Sequence, residues 1–301
     1  MSMTDKVVES KAEQLVHILK SYESVAVAFS GGVDSAVVAK AARLALGDSS
    51  IAVTAVSPSL AADEKEIAQQ VAEKIGIRHR FIETQEFDNP DYTANAPNRC
   101  YFCKTELYSR LTAMIPELKV HVLANGSNVD DQGDWRPGMT AADEHQVRSP
   151  LLEAEIDKQQ VRLLAKHWDL PIWDKPATPC LSSRIAYGES VTPERVLMID
   201  RAERFLKEQG LTELRVRYHP GDIARIEVPI EDLERLTDPA WRVPLLSYFR
   251  TLGFRHITLD LQGFRSGSMN IGTVANTACQ STEMKSSSCE STSCGTDPSE
   301  G

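Results

Sequence analysis

Val25-Ala-Val-Ala-Phe-Ser-Gly-Gly-Val-Asp-Ser35 decides the fold. Val25 to Phe29 is a short apolar run and reads as a buried strand. Ser30, Gly31 and Gly32 break it, and a helix is expected from about Asp34 to Leu46. A strand that turns through two glycines into a helix suits phosphate. The glycines let backbone amides approach an anion, and the helix N-terminus adds unpaired N–H groups and partial positive charge. Ser30 and Ser35 contribute hydroxyls, and Asp34 is suited to hold a magnesium ion on the phosphates. A bare Gly-Gly turn with an Asx-type helix start is the plain alternative. Serines on both sides and the strand-loop-helix context favour phosphate. The loop lacks the Lys-Ser/Thr of a Walker motif and the Gly-x-Gly-x-x-Gly of dinucleotide folds.

Outward from this loop, the pattern alternates. Glu13 to Leu19 begins as a helix. Ile51 to Val56, His79 to Ile82 and Val120 to Ala124 read as strands. Asp63 to Ile75 is amphipathic, with Ile67, Val71 and Ile75 four apart, and Val161, Leu164 and Ala165 mark a further helix. Strands alternating with helices imply an α/β domain with a parallel sheet. Trp135-Arg-Pro-Gly138 reads as a loop. Past Gly188 the character changes. Pro193 to Leu206 is a helix, Leu214 to His219 and Ile223 to Val228 are strands, and His219-Pro-Gly-Asp222 is the turn between them. Glu231 to Leu252 holds a helix interrupted near Pro239 and Pro244, and Ile257 to Leu261 is a last strand. The expected organisation is a domain over 1–188, a smaller α+β domain over 189–272 and a tail over 273–301. That tail is rich in Ser and Thr and has no Leu, Ile or aromatic residue, so disorder is expected.

Composition narrows the class. At about 150 residues per domain, 301 residues allow two domains. Hydrophobic residues make up 42% and charged residues 25%, ordinary for a globular chain. No apolar run suits a membrane span. Met1 to Glu13 has no apolar signal-peptide core, so a cytoplasmic protein is expected. Lys and Arg total 33 against 43 Asp and Glu, a net charge of −10 that weighs against nucleic acid as a partner.

The six cysteines are Cys100, Cys103, Cys180, Cys279, Cys289 and Cys294. Clusters of this kind point to metal or redox chemistry rather than a disulfide scaffold. Cys100-Tyr-Phe-Cys103 lets two sulfurs converge on one metal. Cys180 lies in Pro176-Ala-Thr-Pro-Cys-Leu-Ser-Ser-Arg184, a loop by its prolines and hydroxyls. An inert thiol is the plain reading of Cys180, but Arg184 nearby favours thiolate. Three body cysteines suit a cubane iron–sulfur cluster with one iron open, and also a zinc site completed by a histidine. A thioredoxin-like pair is a third option for Cys100 and Cys103. Arg215 and Arg217 alternate on one strand and so share a face, suited to a phosphate or carboxylate. Arg225 and Arg265 add to the supply. Surface ion pairs, for example with Glu213 or Glu227, are the plain alternative.

Ser-Gly-Gly-x-Asp-Ser resembles the PP-loop of the ATP pyrophosphatases. Arg136-Pro-Gly138, Cys180-Leu-Ser-Ser-Arg184 with Tyr187-Gly188, Arg215-Val-Arg217 with Asp222-Ile-Ala-Arg-Ile-Glu227, and Leu259-Asp-Leu-Gln-Gly-Phe-Arg-Ser-Gly267 add to this. Together they resemble the LarE family, ATP-dependent sulfur transferases of nickel-pincer cofactor synthesis for lactate racemase. The resemblance covers about residues 10–272. It implies that a pyridinium mononucleotide with two carboxylates is adenylylated by Mg-ATP, and that sulfur then displaces AMP to give a thiocarboxylate. One branch of the family sacrifices a cysteine at the position of Cys180 and leaves dehydroalanine. The other holds a 4Fe-4S cluster on three cysteines, and Cys100, Cys103 and Cys180 place this chain with it. By the same resemblance Ser30, Gly31, Gly32, Asp34 and Ser35 bind ATP and Mg2+, with Cys180 and Asp34 central to catalysis. Ser183, Arg184, Glu203, Arg215, Arg217 and Arg265 would bind the substrate. The family also implies a homo-oligomer. A tRNA-thiolating or amide-forming PP-loop enzyme is the rival.

Overall fold

The computed structural model describes residues 3–132 and 137–265. Trp135, Arg136, and the tail from Thr273 with Cys279, Cys289 and Cys294 lie outside the described residues. The first unit runs α1 (Met3–Lys20), β1 (Val25–Ala28), α2 (Val33–Leu46), β2 (Ser50–Val56), α3 (Ala62–Ile75) and β3 (Arg78–Glu83). It continues with α4 (Pro90–Thr93), α5 (Arg99–Leu118), β4 (Val122–Ala124), α6 (Pro137–Glu144), α7 (Pro150–Glu153) and α8 (Lys158–His167). The four strands are parallel in the order β3-β2-β1-β4. The α/β class with a parallel sheet is therefore as the alternation predicts.

Strand alternation sorts the two faces of the sheet. Val25 and Val27 pack with Leu15 and Leu19 of α1, Val37 of α2 and Leu164 of α8. Ala26, Ile51 and Val53 point the other way, onto Leu111 of α5 and Ala141 of α6. Alanines at 36, 39, 41 and 42 are fully buried, which lets α2 lie close to its neighbours. The chain steps outward from β1 to β3, then crosses back to β4 on the far side of β1. Ligands of open parallel sheets bind at such a switch point, beyond the C-terminal ends of the strands. The glycine loop leaves β1 there.

The second unit comprises α9 (Pro193–Glu208), β5 (Arg215–His219), β6 (Ile223–Glu227), α10 (Leu233–Thr237), α11 (Pro239–Leu252) and β7 (His256–Leu259). Its sheet order is β5-β6-β7, with β5 and β6 antiparallel and β6 and β7 parallel. The predicted turn closes the hairpin, with Gly221 and Asp222 at φ +81° and +56°. Val196, Ile199, Leu206, Val216, Ile226 and Phe249 form its core, and Tyr92, Leu181 and Ile185 join them.

Three local expectations need correction. Pro137 and Gly138 open helix α6 rather than lying in a loop, as a helix start tolerates proline. Pro239 does begin a new helix, but Pro244 does not interrupt it. Pro244 is exposed, so water can reach the carbonyl left without its N–H donor. Helix α5, which carries Cys100 and Cys103, was not foreseen at all. Among the described residues no helix is long and apolar enough to cross a membrane.

Candidate active site

The loop after β1 is held by its own serines. The Ser30 backbone N–H donates to Ser35 Oγ at 3.2 Å, and the Ser35 hydroxyl donates to the Gly32 carbonyl at 3.1 Å. The Gly32 N–H reaches Ser30 Oγ at 3.3 Å. Gly32 caps α2 without any side-chain cap, so the first amides of the helix remain for a ligand. Gly31 has φ +74°, and a Cβ there would stand 2.9 Å from Ala68 Cα in α3. Only glycine meets both demands. Gly126, just after β4, passes so close that a Cβ would lie 2.8 Å from the Ser35 nitrogen. The segments after β1 and β4 thus frame one crevice at the switch point.

Asp34 is gripped from both sides. Asn128 Nδ2 donates to its Oδ1 at 2.9 Å, and Lys158 Nζ pairs closely with its Oδ2. Asn128 is itself fixed in a capping box with Asp131. Lys158 opens α8, where Asp157 and Gln160 form a second capping box, and its backbone N–H donates to Asp130 Oδ2 at 2.8 Å.

The three body cysteines come from two segments. Cys100 and Cys103 occupy the first turns of α5, and Cys180 precedes a short turn, Leu181–Arg184. Desolvation comes first in pushing the Cys103 thiol up to about 12, followed by the negative charges of Cys180 and Glu86. Cys100 is raised by the same two causes in the same order, desolvation and then Cys180. It keeps exposed surface as a residue while protein atoms crowd its thiol. Cys100 and Cys103 therefore both sense Cys180. Arg99 is buried beside them. Burial works against its charge, but Cys180 and Cys100 hold it firmly protonated. Arg99 Nη1 also donates to the Ser182 carbonyl at 2.8 Å, and Tyr92 Oη lies 2.8 Å from Ser182 Oγ. These bonds fix the Cys180 segment against α4 and α5. Among the described residues no group of three or more His, Cys, Asp or Glu side chains is gathered to hold a metal ion. Thiols are the donor type that an iron–sulfur cluster takes, and three of them come here from two segments with Arg99 buried beside them.

The predicted arginines converge, in unequal roles. Arg184 is almost wholly buried. Its Nε and Nη2 reach the two oxygens of Glu203 at 3.0 and 3.4 Å. Its Nη1 donates to the Cys180 carbonyl at 3.1 Å, to the Pro179 carbonyl, and to Ser183 Oγ at 3.2 Å. Glu203 also accepts the Val216 N–H at 3.0 Å. Arg217 pairs with the fully buried Glu227, Nε to Oε2 at 3.0 Å, and donates to the Ser183 carbonyl at 3.2 Å. The ion pair with Glu227 thus exists, but inside the protein rather than on its surface. Arg215 donates to the carbonyls of Leu214 and Ala177, at 2.7 and 3.2 Å, and lies over the Phe264 ring. No carboxylate pairs with it among the described residues. Desolvation, then the like charges of Arg184 and Arg217, lowers it to about 10. Arg265 lies 3.8 Å from Asp260, and its buried Nε has no hydrogen-bond partner among the described residues.

The family model described as asparagine synthase matches residues 9–125, the stretch that holds the sheet and the glycine loop. The pyridinium-3,5-bisthiocarboxylic acid mononucleotide synthase of Lactiplantibacillus plantarum is 36% identical over 265 residues, 87% of this chain and 94% of that protein. The chain belongs to the LarE family. An uncharacterized protein of Synechocystis sp. is 45% identical over 87% of this chain and 97% of its own length. One from Methanocaldococcus jannaschii is 25% identical over 81% and 92%. As a LarE family member with a PP-loop, the chain is an ATP-dependent sulfurtransferase.

Several residues of this LarE site were missed from sequence: Arg99, Gly126, Asn128 and Lys158. Asn128 and Lys158 reach Asp34 from 94 and 124 residues away, a distance no local pattern spans. Arg99 stands directly before Cys100, which was the available signal.

Proposed function

We propose that this chain converts the carboxylates of a pyridinium bis-carboxylate mononucleotide into thiocarboxylates. A carboxylate oxygen attacks the α-phosphorus of Mg-ATP, the bond to pyrophosphate breaks, and an acyl adenylate forms. A sulfur nucleophile then attacks the acyl carbon, and AMP leaves with the electrons of the broken C–O bond. The activity for which the Lactiplantibacillus relative is named supports this substrate class. One structural observation carries the reading. The Cys180 segment is clasped between both halves of the site: the Leu181 N–H donates to the Ser59 carbonyl beyond β2 at 3.0 Å, and Arg215 Nη2 donates to the Ala177 carbonyl at 3.2 Å. A sulfur held there lies between nucleotide and arginines.

On this reading Ser30, Gly31, Gly32 and Ser35 hold the phosphates and Asp34 the magnesium ion. Arg215 takes a substrate phosphate or carboxylate, for which a guanidinium fork is suited, with Ser183, Arg217 and Arg265 around it. Arg184 and Glu203 act by holding the Cys180 segment in place. Cys100, Cys103 and Cys180 would hold a 4Fe-4S cluster, which supplies sulfur when bound. The same proposal keeps the unit boundary at residue 188, a cytoplasmic setting, a homo-oligomer, and a small-molecule substrate rather than nucleic acid. A second reading, sacrifice of the Cys180 sulfur, draws on the exposure of Cys180.

The test is anaerobic purification of the full chain with Cys279, Cys289 and Cys294 changed to Ser. About four iron and four acid-labile sulfide per chain, lost in Cys100→Ala, support the cluster. Dehydroalanine at position 180 after turnover supports sacrifice instead. Pyrophosphate release must depend on the pyridinium dicarboxylate and vanish in a folded Asp34→Ala variant. Release that ignores that substrate overturns the whole reading.

A further inference from the structure

Ala186 to Glu189 is a tight turn, closed by the Glu189 N–H on the Ala186 carbonyl at 3.0 Å. Gly188, at φ +84°, gives its third residue the left-handed backbone that glycine takes freely, and Tyr187 precedes it. The turn is braced at both ends. The Ala186 N–H donates to the Tyr218 carbonyl of β5, and the Val191 N–H to the Thr93 carbonyl of α4, both at 2.9 Å. Asn95 is wholly buried beside it. Its Nδ2 donates to the Ala186 carbonyl at 2.9 Å and to the Ile185 carbonyl at 3.3 Å, and its Oδ1 accepts from Arg99 Nη1. The same Arg99 nitrogen holds the Ser182 carbonyl at 2.8 Å. One hydrogen-bond network thus fixes the start of α5, the Cys180 segment and the turn that carries Tyr187.

On this rigid mount the Tyr187 side chain is 40% exposed. Among the described residues it makes no side-chain hydrogen bond, and no ring or cation packs against it. Trp173, the other exposed aromatic residue there, already has Lys166 Nζ 4.9 Å from its ring centre. Burial opposes the charge of Arg99, and Cys180, Cys100, Tyr92 and Tyr187 favour it, in that order. Tyr187 therefore stands within charge range of Arg99, on the side of the site that holds the cysteines. The proposed substrate makes opposite demands on such a site. Its carboxylates and phosphate are anions, which a guanidinium suits. Its pyridinium ring is a cation, which Arg99, Arg184, Arg215 and Arg217 all repel. Glu203 and Glu227 already pair with arginines. The face of an aromatic ring attracts a cation without competing for the guanidinium groups.

We propose that Tyr187 is a substrate-binding residue whose ring face receives the pyridinium cation and so holds the carboxylates of that ring beside the cysteines. The inference rests on the pyridinium substrate proposed above and assigns to it the one charge that the arginines cannot serve. Because the turn is already fixed, the ring docks without ordering the backbone first. The contact also confers specificity. A neutral ring of the same shape keeps the arginine contacts and loses this one.

The test is calorimetric binding to the full chain, with Mg2+ and a non-hydrolysable ATP analogue present. The two probes are the pyridinium dicarboxylate mononucleotide and its benzene isostere, in which carbon replaces the ring nitrogen. The proteins are wild type, Tyr187→Leu and Tyr187→Phe. We expect wild type to prefer the cation by about three- to thirtyfold, the scale of a cation on an aromatic face. Tyr187→Leu should erase most of that preference. Tyr187→Phe should keep it, because the hydroxyl has no partner to lose. A preference that survives in Tyr187→Leu overturns the inference. So does its loss in Tyr187→Phe, which assigns the effect to the hydroxyl. Equal binding of both probes by wild type also overturns it, and leaves the substrate reading intact. Failure of wild type to bind the pyridinium compound removes the substrate reading and this inference with it.

Discussion

Gly31→Ala separates the steric and conformational demands of the phosphate loop. The residue has φ +74°, a region in which an L side chain costs roughly 1–2 kcal/mol. The added methyl would also stand 2.9 Å from Ala68 Cα, 3.0 Å from its Cβ and 3.1 Å from its nitrogen. Two of these atoms are helix backbone, so relief requires loop or helix to move. Overpacking of this kind costs roughly 1–3 kcal/mol. The sum is about 2–5 kcal/mol. Gly76→Ala is the control, because Gly76 has φ +75° and no atom within 4 Å of the added position. It should lose only the first part, roughly 1–2 kcal/mol. Urea unfolding of both variants gives the difference, and binding of an ATP analogue shows whether the loop has moved. Gly31→Ala should unfold at lower urea than Gly76→Ala and bind the analogue poorly, while Gly76→Ala binds it normally. Equal midpoints with normal binding in both would refute the close approach of loop and α3.

Three further outcomes follow from burial. Glu203→Ala strands the Arg184 guanidinium without its carboxylate, and removing one member of a buried pair costs roughly 3–5 kcal/mol, read as a fall in the urea midpoint; a change under about 1 kcal/mol would mean the pair is solvated. In metal-free protein the raised Cys103 favours the neutral thiol in the folded state, so its stabilising contribution is complete below the unfolded thiol pKa of about 8.5. It is lost as pH rises towards the folded value of about 12. Stability should therefore fall through that alkaline window, and less so in Cys103→Ser; at pH 8 N-ethylmaleimide should modify exposed Cys180 before Cys103, and the reverse order would contradict the crowding at Cys103.

The sheet was legible because its signals are local. Val25 to Ser35 contains its own strand, break and helix start, and the buried positions 161, 164 and 165 repeat at helical spacing. Helix α5 was not legible for an equally local reason. Its buried positions are only Arg99, Tyr108, Leu111 and Leu118, one of them charged, and Pro116 sits in its last turn. Its amphipathic stripe is thus diluted where the cysteines draw attention instead. Arg215 and Arg217 were legible as neighbours on one strand face. Their different fates were not, because Glu227 and Glu203 come from β6 and α9, and partner choice depends on packing. The Asp34 contacts were hidden for the same reason.

The arrangement of these charges bears on how the two halves of the reaction stay in register. Buried ion pairs seldom outperform apolar packing in stability, so a cluster of them calls for another purpose. Arg184 with Glu203 and Arg217 with Glu227 are saturated, and both arginines also hold carbonyls between Pro179 and Ser183. They fix the Cys180 segment and at the same time press their charge on Arg215. Arg215 is left with backbone carbonyls alone, among the described residues, and an anion would relieve that repulsion. One of those carbonyls belongs to Ala177, on the segment leading to Cys180. An anion that draws Arg215 towards itself competes with the Ala177 carbonyl for the same guanidinium. On the proposed chemistry, substrate capture and the position of the sulfur-bearing segment are then linked through one side chain. The segment's other end stays tied to the nucleotide unit by the Leu181 N–H on the Ser59 carbonyl at 3.0 Å. The Pro179 and Cys180 carbonyls stay with Arg184, so this linkage acts on the stretch that leads to Cys180 and leaves the cysteine itself in place.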